Sequence, residues 1–317
     1  MILTVTLNAA LDVTYRVEAL VPHTTHRVAE VSERAGGKGL NVARVLHGLG
    51  EPVLATGLLG GDTGARVRRL LGEAGLGEAF VPIGDETRRT VAVVDGDATG
   101  FWEPGPVVTP GEWDAFRARY ASLLGDATVV VLSGSLPRGL PADAYATLIA
   151  AAREAGARTV LDTSGAPLSA ALPARPDVVK PNLHELRELL ADAPADGRGA
   201  AGELVRLAGA VRALGAGAVV ASAGADGLVG VTADGVWRVR PPERVAGNPT
   251  GAGDASVAAL ARGLRDRSPW PRILTDAVAL SAAAVAAPVA GTVEAATADR
   301  FRTSVTVTEI TQEFPAC

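Results

Sequence analysis

Short apolar runs alternate with helical patterns along most of the 317-residue chain, and this alternation limits the fold more than any other feature. The apolar runs are short and rich in Val, Leu and Ile, and they predict buried strands at Ile2–Leu7, Val53–Leu59, Val129–Ser133, Thr159–Asp162, Val178–Lys180 and Ala218–Ser222. Amphipathic patterns between them predict helices around Leu40–Gly50, Thr63–Gly75, Gly111–Leu124, Ala142–Gly156, Asn182–Ala191 and Glu203–Leu214. We therefore expect an α/β fold with a mostly parallel central sheet and helices on both faces. Ligands of such folds bind outside the carboxyl ends of the strands.

Two segments break this alternation and predict a small β lid. Polar and apolar residues alternate approximately within residues 12–34 and 88–102, and Asp95-Gly96-Asp97 supplies a turn. A further hairpin, Leu228–Val231 with Val236–Val239, precedes two helices that we expect at the C-terminal end of the chain.

The charge balance argues against a protein that binds polyanions. The 30 basic and 35 acidic residues give a net charge of -5, which leaves no excess of positive charge for nucleic acid or an anionic membrane. The longest uncharged stretch, Ala277–Val293, contains Pro288 and predicts a buried helix, not a membrane span. The only cysteine is Cys317, so a disulfide within the chain is excluded and we expect a cytoplasmic protein.

Lysine and asparagine are scarce in this chain, which makes the few that remain candidates for function. The basic residues include only two lysines, and there are four asparagines: Lys38 and Lys180, with Asn8, Asn41, Asn182 and Asn248. A compact ammonium and a planar guanidinium are not interchangeable, so a lysine among so many arginines suggests a task that arginine cannot perform. Chance survival is the alternative at any single position.

The strongest motif is the segment Asn248–Asp254, which reads NPTGAGD and opens a predicted helix. Backbone N–H groups of Gly251, Ala252 and Gly253 at a helix N terminus form an anion site that could stabilise a transferring phosphoryl group. Asp254, in the first turn, could accept a proton from a hydroxyl, or it could simply cap the helix. The P-loop motif is absent and the dinucleotide fingerprint fails at its last glycine, which disfavours an NAD-dependent dehydrogenase.

Two further segments combine the scarce residues with turn chemistry. In Gly36–Asn41, three glycines surround Lys38, which indicates either close backbone approach to a ligand or a flexible hinge before a helix. In Lys180–Glu185, Asn182 and Glu185 lie three residues apart on one helical face. That spacing is typical of an ordinary helix cap, and it also suits a weak magnesium site that retains water.

These segments together resemble the ribokinase (phosphofructokinase-B) family of carbohydrate kinases, and most closely its 1-phosphofructokinase and tagatose-6-phosphate kinase branch. The resemblance covers nearly the whole chain, with motifs in the family's order at Thr6–Asp12, Gly36–Ala43, Gly57–Asp62, Ser133–Pro137, Lys180–Glu185 and Asn248–Asp254. The chain departs from the branch at Ala9, where proline is usual, and at Arg138, where a small or polar residue is commoner.

The resemblance implies a single ribokinase-like domain over residues 1–317, which uses ATP and Mg²⁺ and forms a homodimer through its β lid. It implies that Asp254 is the base and that Gly251, Ala252 and Gly253 form the anion hole. Substrate-binding positions would be Asp12, Gly37, Lys38, Asn41, Arg88 and Ser135. ATP-binding positions would be Lys180, Asn182, Glu185, Ser222, Gly224 and Gly227, with Asn182 and Glu185 near the Mg²⁺ through water.

The expected acceptor is a phosphorylated ketohexose, held by its phosphate at Lys38 and Arg88, which match phosphate-binding positions of the branch. D-Fructose 1-phosphate, giving fructose 1,6-bisphosphate, is the first expectation; tagatose 6-phosphate is the second, followed by another sugar accepted by a kinase of this family. A nucleoside kinase is disfavoured because aromatic residues make up only 4% of the chain. A catalytically inactive sugar-binding regulator is the alternative that is not an enzyme, although such proteins tend to lose the base and Asp254 is present.

Overall fold

The computed structural model describes residues 1–191, 199–287 and 292–310, and two β-sheets lie within these ranges. The strands in chain order are β1 (Ile2–Thr6), β2 (Ala10–Arg16), β3 (Glu30–Gly36), β4 (Val53–Gly60), β5 (Val81–Ile83), β6 (Arg88–Val94), β7 (Ala98–Trp102), β8 (Val129–Ser133), β9 (Arg158–Asp162), β10 (Val178–Val179), β11 (Ala218–Ser222), β12 (Leu228–Val231), β13 (Val236–Arg240) and β14 (Thr306–Glu309). The helices are α1 (Lys38–Gly48), α2 (Gly61–Glu73), α3 (Pro110–Leu123), α4 (Ala144–Glu154), α5 (Gly165–Ala171), α6 (Leu183–Leu189), α7 (Gly199–Ala213), α8 (Ala252–Arg265), α9 (Trp270–Ala286) and α10 (Ala295–Arg302).

The larger sheet has ten strands in the order β14-β13-β12-β11-β10-β9-β8-β1-β4-β5. The strands from β11 to β5 in that order run parallel, whereas β12, β13 and β14 extend one edge antiparallel. All six apolar runs that predict strands form strands of the parallel part. The expected fold class, a mostly parallel sheet covered by helices, is therefore confirmed.

Side chains of the central strands alternate between two apolar cores, one on each face of this sheet. On β8, Val130 and Leu132 pack in the core that contains Phe116 of α3. Val129 and Val131 point to the opposite core, which α1, α8, α9 and α10 cover. Because both faces of β8 are buried, this strand is apolar at every position before Ser133.

The smaller sheet, called here the small sheet, has four strands in the order β3-β2-β6-β7. Strand β2 pairs antiparallel with β3 and parallel with β6, so Asp12 lies opposite Arg34 on one side and Thr90 on the other. Three large apolar side chains, Val31, Phe101 and Trp102, are exposed on β3 and β7. The small sheet thus presents a charged region around Asp12 and carries exposed apolar residues on its outer strands.

The C-terminal part differs from the expectation of two helices, because α8, α9 and α10 all follow the hairpin. The helix expected over Ala277–Val293 ends at Ala286, and Ala287 has an extended backbone conformation. Pro288 explains this end, since the residue before a proline avoids the helical region. Residues 288–291 of that stretch, and Cys317, lie outside the described residues. In the described ranges, every helix is too short or too polar to span a bilayer.

Candidate active site

Polar residues that follow the parallel strands meet along one edge of the larger sheet. Asn8 follows β1, Ser135 follows β8, Asp162 ends β9, Lys180 follows β10 and Ser222 ends β11. The parallel direction of these strands brings their carboxyl ends to the same edge, where Asn8 Nδ2 donates a hydrogen bond to Ser135 Oγ at 3.0 Å. Polar side chains therefore line this edge of the sheet, and several of them are predicted site residues.

The two lysines of the chain meet at a buried carboxylate. Lys38 Nζ lies 3.4 Å and Lys180 Nζ 3.7 Å from Asp162 Oδ1, and the Asp162 side chain is only 2% exposed. The other oxygen, Oδ2, is buried without a hydrogen-bond partner in the described part of the chain. Two ammonium groups thus share one buried carboxylate. Asp162 was not among the predicted site residues, although a charged residue at the end of an apolar strand is a signal that could have found it.

The start of α8 lies beside this lysine pair. Gly251 precedes the helix with a φ of 85°, a left-handed conformation that favours glycine. A Cβ atom on Gly253 would lie 3.5 Å from Lys180 Nζ, so the first turn of α8 and the ammonium group are close neighbours. The positive end of a helix dipole and a lysine together favour an anion at this place.

Asp254 is buried in the first turn of α8 and reaches toward a neighbouring helix. Its Oδ2 accepts a hydrogen bond from Asn41 Nδ2 of α1 at 2.8 Å. Burial and, after it, the negative charge of Asp162 raise the pKa of Asp254 to about 6, although the Asn41 bond, Lys38 and Lys180 oppose the rise. A carboxyl group with this pKa is ionised at neutral pH and close to the best range for proton transfer.

The glycine-rich turn before α1 packs closely against other parts of the site. A Cβ on Gly36 would lie 2.2 Å from the Asp12 carboxylate, and one on Gly37 would lie 2.7 Å from Thr6 Cγ2. Gly37 also has a φ of 108°. Both glycines are therefore required by close packing against the protein's own side chains, which argues against a flexible hinge, while their approach to a ligand stays a prediction.

Asp12 lies within a group of arginines on the inner part of the small sheet. Burial raises the pKa of Asp12, whereas a hydrogen bond from Thr90 and the positive charges of Arg34, Arg44 and Arg88 oppose the rise. These three cations surround one carboxylate, so the region carries net positive charge.

Arg88 and Lys38 contact different groups. Arg88 Nη2 donates to the backbone oxygen of Asn8 at 3.2 Å, and its Nε is buried with no hydrogen-bond partner within the described residues. Lys38 faces Asp162, Glu185 and Asp254, whose negative charges raise its pKa against the lowering effect of burial. The structure thus places Lys38 beside Asp254, and Arg88 beside Asp12 and Asn8.

A cleft of about 550 Å³ begins at the start of α8 and runs between the β11–β12 connection and α9. Ser222, Gly224 and Gly227, which the resemblance places at ATP-binding positions, line one side of it, and Ala252 and Gly253 line its inner end. Most of the remaining wall is apolar and was not predicted: Val245, Ala246, Val278, Ala282 and Val285. Arg244, Ser256 and Ser281 add polar groups to it. In a sequence, valine and alanine that line a cleft look the same as valine and alanine in an apolar core. An apolar cleft that ends at an anion site suits a flat base joined to a polyphosphate.

Asn182 and Glu185 form a capping box at the start of α6. Asn182 Oδ1 accepts a hydrogen bond from the Glu185 backbone N–H at 2.9 Å, and Glu185 Oε2 accepts one from the Asn182 backbone N–H at 2.8 Å. The two residues therefore cap α6, as the spacing allowed. This arrangement leaves Glu185 Oε1 available, which is enough for contact with a hydrated magnesium ion. No group of three or more acidic, histidine or cysteine side chains that could hold a metal occurs in the described ranges.

Comparisons with known proteins agree with this geometry. A model of the pfkB family carbohydrate kinases matches residues 4–296. The solved structure of Escherichia coli phosphofructokinase-2 with potassium has a TM-score of 0.88 and 29% identity, over 95% of this chain and 98% of that chain. The same enzyme with fructose-6-phosphate has a TM-score of 0.84 and 28% identity, over 95% and 98%. A Thermotoga maritima protein described as a possible 1-phosphofructokinase has a TM-score of 0.82 and 27% identity, over 98% and 99%.

The larger sheet, the small sheet and the cleft that ends at α8 define the ribokinase-like architecture of carbohydrate kinases. Because the family model spans nearly the whole chain, the protein belongs to the pfkB family of carbohydrate kinases. The resemblance stated from the sequence motifs is thereby confirmed. Membership of a kinase family implies ATP as the phosphoryl donor.

Proposed function

We propose that the protein transfers the γ-phosphoryl group of MgATP to the free primary hydroxyl of a phosphorylated ketohexose. The observation that carries this proposal is the position of Asp254, a buried carboxylate beside the N terminus of α8 and the lysine pair. Asp254 accepts the proton of the acceptor hydroxyl while the hydroxyl oxygen bonds to the γ-phosphorus. The bond to the departing ADP breaks in the same step, as positioned phosphoryl transfer requires.

The donor nucleotide fits the cleft between α8 and α9. Its base would lie against the apolar wall, and its phosphates would extend toward the backbone N–H groups of Gly251–Gly253. Lys38 and Lys180, held by Asp162, would stabilise the negative charge that develops during transfer. Glu185 would contact the water shell of a magnesium ion through Oε1, and the charge of that ion offsets the charge of the phosphates.

The acceptor would lie between the small sheet and α8. Asp12 would bind sugar hydroxyls, with Ser135 and Asn41 beside it, and Arg88 would bind the acceptor phosphate. The unpartnered, buried Nε of Arg88 supports this role, since a buried donor without a partner is costly until an acceptor arrives. Lys38 faces Asp162 and Asp254, so in this arrangement it contacts the transferring phosphoryl group and the near side of the sugar.

The proposed acceptor is fructose 1-phosphate, ahead of tagatose 6-phosphate. Fructose 6-phosphate is a second candidate, because the structurally similar Escherichia coli phosphofructokinase-2 has been solved with that sugar. ADP formation with each of these and with unphosphorylated fructose, at equal concentration, tests the ranking. Preference for unphosphorylated fructose would contradict the phosphate contact, and absence of turnover with every sugar would favour the inactive regulator.

Two neighbouring arginines allow a matched test of the acceptor phosphate site. Arg88 is half-buried beside Asp12, whereas Arg89 is exposed on the other face of β6. We expect Arg88→Met to raise the KM for the sugar phosphate by about tenfold or more, the loss expected for a charged hydrogen bond, without a similar change for ATP. Arg89→Met should leave both KM values near those of the wild type; an equal effect of the two variants would reject the assignment.

We also propose that residues 1–317 form a single cytoplasmic kinase domain that dimerises through the small sheet. Exposed Val31, Phe101 and Trp102, the last 77% exposed, support a partner at this surface. The inhibited form of Escherichia coli phosphofructokinase-2 is itself described as tetrameric. Light scattering of the wild type and Trp102→Glu tests this, since the variant should reduce the mass to that of one chain. An unchanged mass would place the interface elsewhere.

A further inference from the structure

A chain of two hydrogen bonds joins Arg44, Asn41 and Asp254 across two helices. Arg44 and Asn41 lie three residues apart on α1, and Arg44 Nη1 donates to Asn41 Oδ1 at 3.0 Å. Asn41 Nδ2 in turn donates to Asp254 Oδ2 of α8 at 2.8 Å. The second terminal nitrogen of Arg44, Nη2, donates to the backbone oxygen of Ala35 at the end of β3. Arg44 is thus fixed at both terminal nitrogens.

The chemistry of the two end groups determines the orientation of the amide between them. A guanidinium can only donate hydrogen bonds, and an ionised carboxylate can only accept them. The Asn41 amide must therefore point its oxygen at Arg44 and its nitrogen at Asp254. If the amide turned over, its oxygen would face the carboxylate and its NH₂ group would face the guanidinium, so both hydrogen bonds would be lost.

We infer that Arg44 is a positioning residue for the proposed phosphoryl transfer, and that it acts by locking the Asn41 amide so that Asp254 Oδ1 is presented to the acceptor hydroxyl. This inference rests on the proposed role of Asp254 as the base. Asp254 Oδ2 is taken by Asn41, whereas Oδ1 has no hydrogen-bond partner within the described residues. Loss of Arg44 leaves the Asn41 amide oriented from one end only, by the carboxylate itself, so the one hydrogen bond that positions Asp254 is no longer held in place from α1.

Other charged groups face Asp254 from the elements packed around it. Lys38 of α1, Lys180 after β10 and Arg34 of β3 are positive, and Asp162 of β9 is negative. Lys38 and Lys180 pair with Asp162, so neither lysine replaces Arg44 at Asn41. Removing Arg44 removes both its positive charge and the fixed amide donor, and each change favours the protonated form of Asp254.

The test is a double-mutant cycle on the pH dependence of kcat/KM for the acceptor. Wild type, Arg44→Met, Asn41→Ala and the double variant are compared. We expect the acidic limb to move upward by about one pH unit in each single variant, and kcat to fall by about tenfold, with little change in the KM for ATP. The double variant should shift by less than the sum of the two single shifts, because the part of the Arg44 effect that passes through Asn41 is already lost and only the charge of Arg44 remains to be removed. An unmoved limb in Arg44→Met, or a full additional shift in the double variant, would overturn the inference.

Arg68 supplies a matched control for the loss of a fixed arginine. Its terminal nitrogens donate to one side chain, Glu78 Oε1 at 2.5 Å, and to one backbone oxygen, that of Phe80 at 2.8 Å. Like Arg44, Arg68 is held by one side chain and one backbone oxygen, although its side-chain partner is a carboxylate, and it lies on α2, which does not carry Asp254. Arg68→Met should lower stability without moving the pH limb, and a limb shift in this variant would count against a specific role for Arg44.

Two further variants keep the outcome clear. If Arg44→Met yields too little folded protein, the same cycle is run with Arg44→Lys, which keeps the charge but cannot span both acceptors. Asp254→Asn separates this inference from the proposed function. An active Asp254→Asn rejects the base itself, whereas an inactive one together with an unmoved limb in the Arg44 variants rejects only the positioning role.

Discussion

Replacing Asp254 with asparagine should stabilise the folded protein at neutral pH while it removes activity. The native structure holds this carboxyl group in a buried site that raises its pKa from the usual 3.8 to about 6. Each pKa unit is worth about 1.4 kcal/mol, so ionising Asp254 in the folded state costs about 3 kcal/mol at pH 7. An asparagine carries no charge, and its side-chain oxygen can still accept the hydrogen bond from Asn41.

The pH dependence of this effect has a defined sign. Since the folded-state pKa is the higher one, the native state binds the proton more tightly, and protonation of Asp254 favours folding. That contribution is complete below about pH 3.8 and is lost as the pH rises through about 6. The advantage of Asp254→Asn should therefore be about 3 kcal/mol at pH 7.5 and close to zero at pH 4.

Urea unfolding of the wild type and Asp254→Asn at pH 4, 6 and 7.5 measures this difference directly. The two proteins share all other ionisable groups, so the difference in unfolding free energy isolates residue 254. A variant no more stable than the wild type at pH 7.5, or an advantage that persists unchanged at pH 4, would refute the argument that burial of this charge costs folding energy.

Two further predictions concern the groups around this carboxylate. In Asp162→Asn, loss of the negative charge should lower the pKa of Asp254, so the acidic limb of the kcat/KM profile should move to lower pH. The two lysines also lose the carboxylate that holds them, which should raise the KM for ATP. An acidic limb that moves to higher pH, or an unchanged KM for ATP, would contradict this. Gly253→Val should reduce kcat more than it changes the KM for the sugar, because its Cβ would already contact Lys180 Nζ at 3.5 Å and its two methyl groups would extend into the anion site. Equal losses in both constants would point to a misfolded helix start instead.

The sequence was sufficient to predict the strands and helices that have a clear pattern of apolar residues. All six apolar runs became parallel strands, and Gly36 and Gly37 lie at the turn before α1, where close packing requires glycine. Four elements were missed. Strand β5 has three residues and strand β14 has four, too few for a pattern. The seven-residue helix α5 carries Pro167 near its start, and helix α10 has only eight residues.

In the candidate site, the sequence predicted individual residues but not the contacts between residues that are far apart in the chain. The scarcity of lysine pointed to Lys38 and Lys180, but it did not reveal Asp162, which joins them from 124 residues along the chain from Lys38. The bond from Asn41 to Asp254 spans 213 residues. Such contacts depend on which strand ends and helices become neighbours, and a single sequence carries no local signal for that.

Turnover of Asp254→Asn tests whether Asp254 accepts the proton of a sugar-phosphate hydroxyl. Asp266→Asn, at the other end of the same helix, is the matched control. With the best acceptor of the sugar panel, we expect kcat of Asp254→Asn to fall by at least ~100-fold, the KM for ATP to stay near the wild-type value, and Asp266→Asn to keep its turnover. Turnover of Asp254→Asn close to that of the wild type would show that Asp254 is not the base.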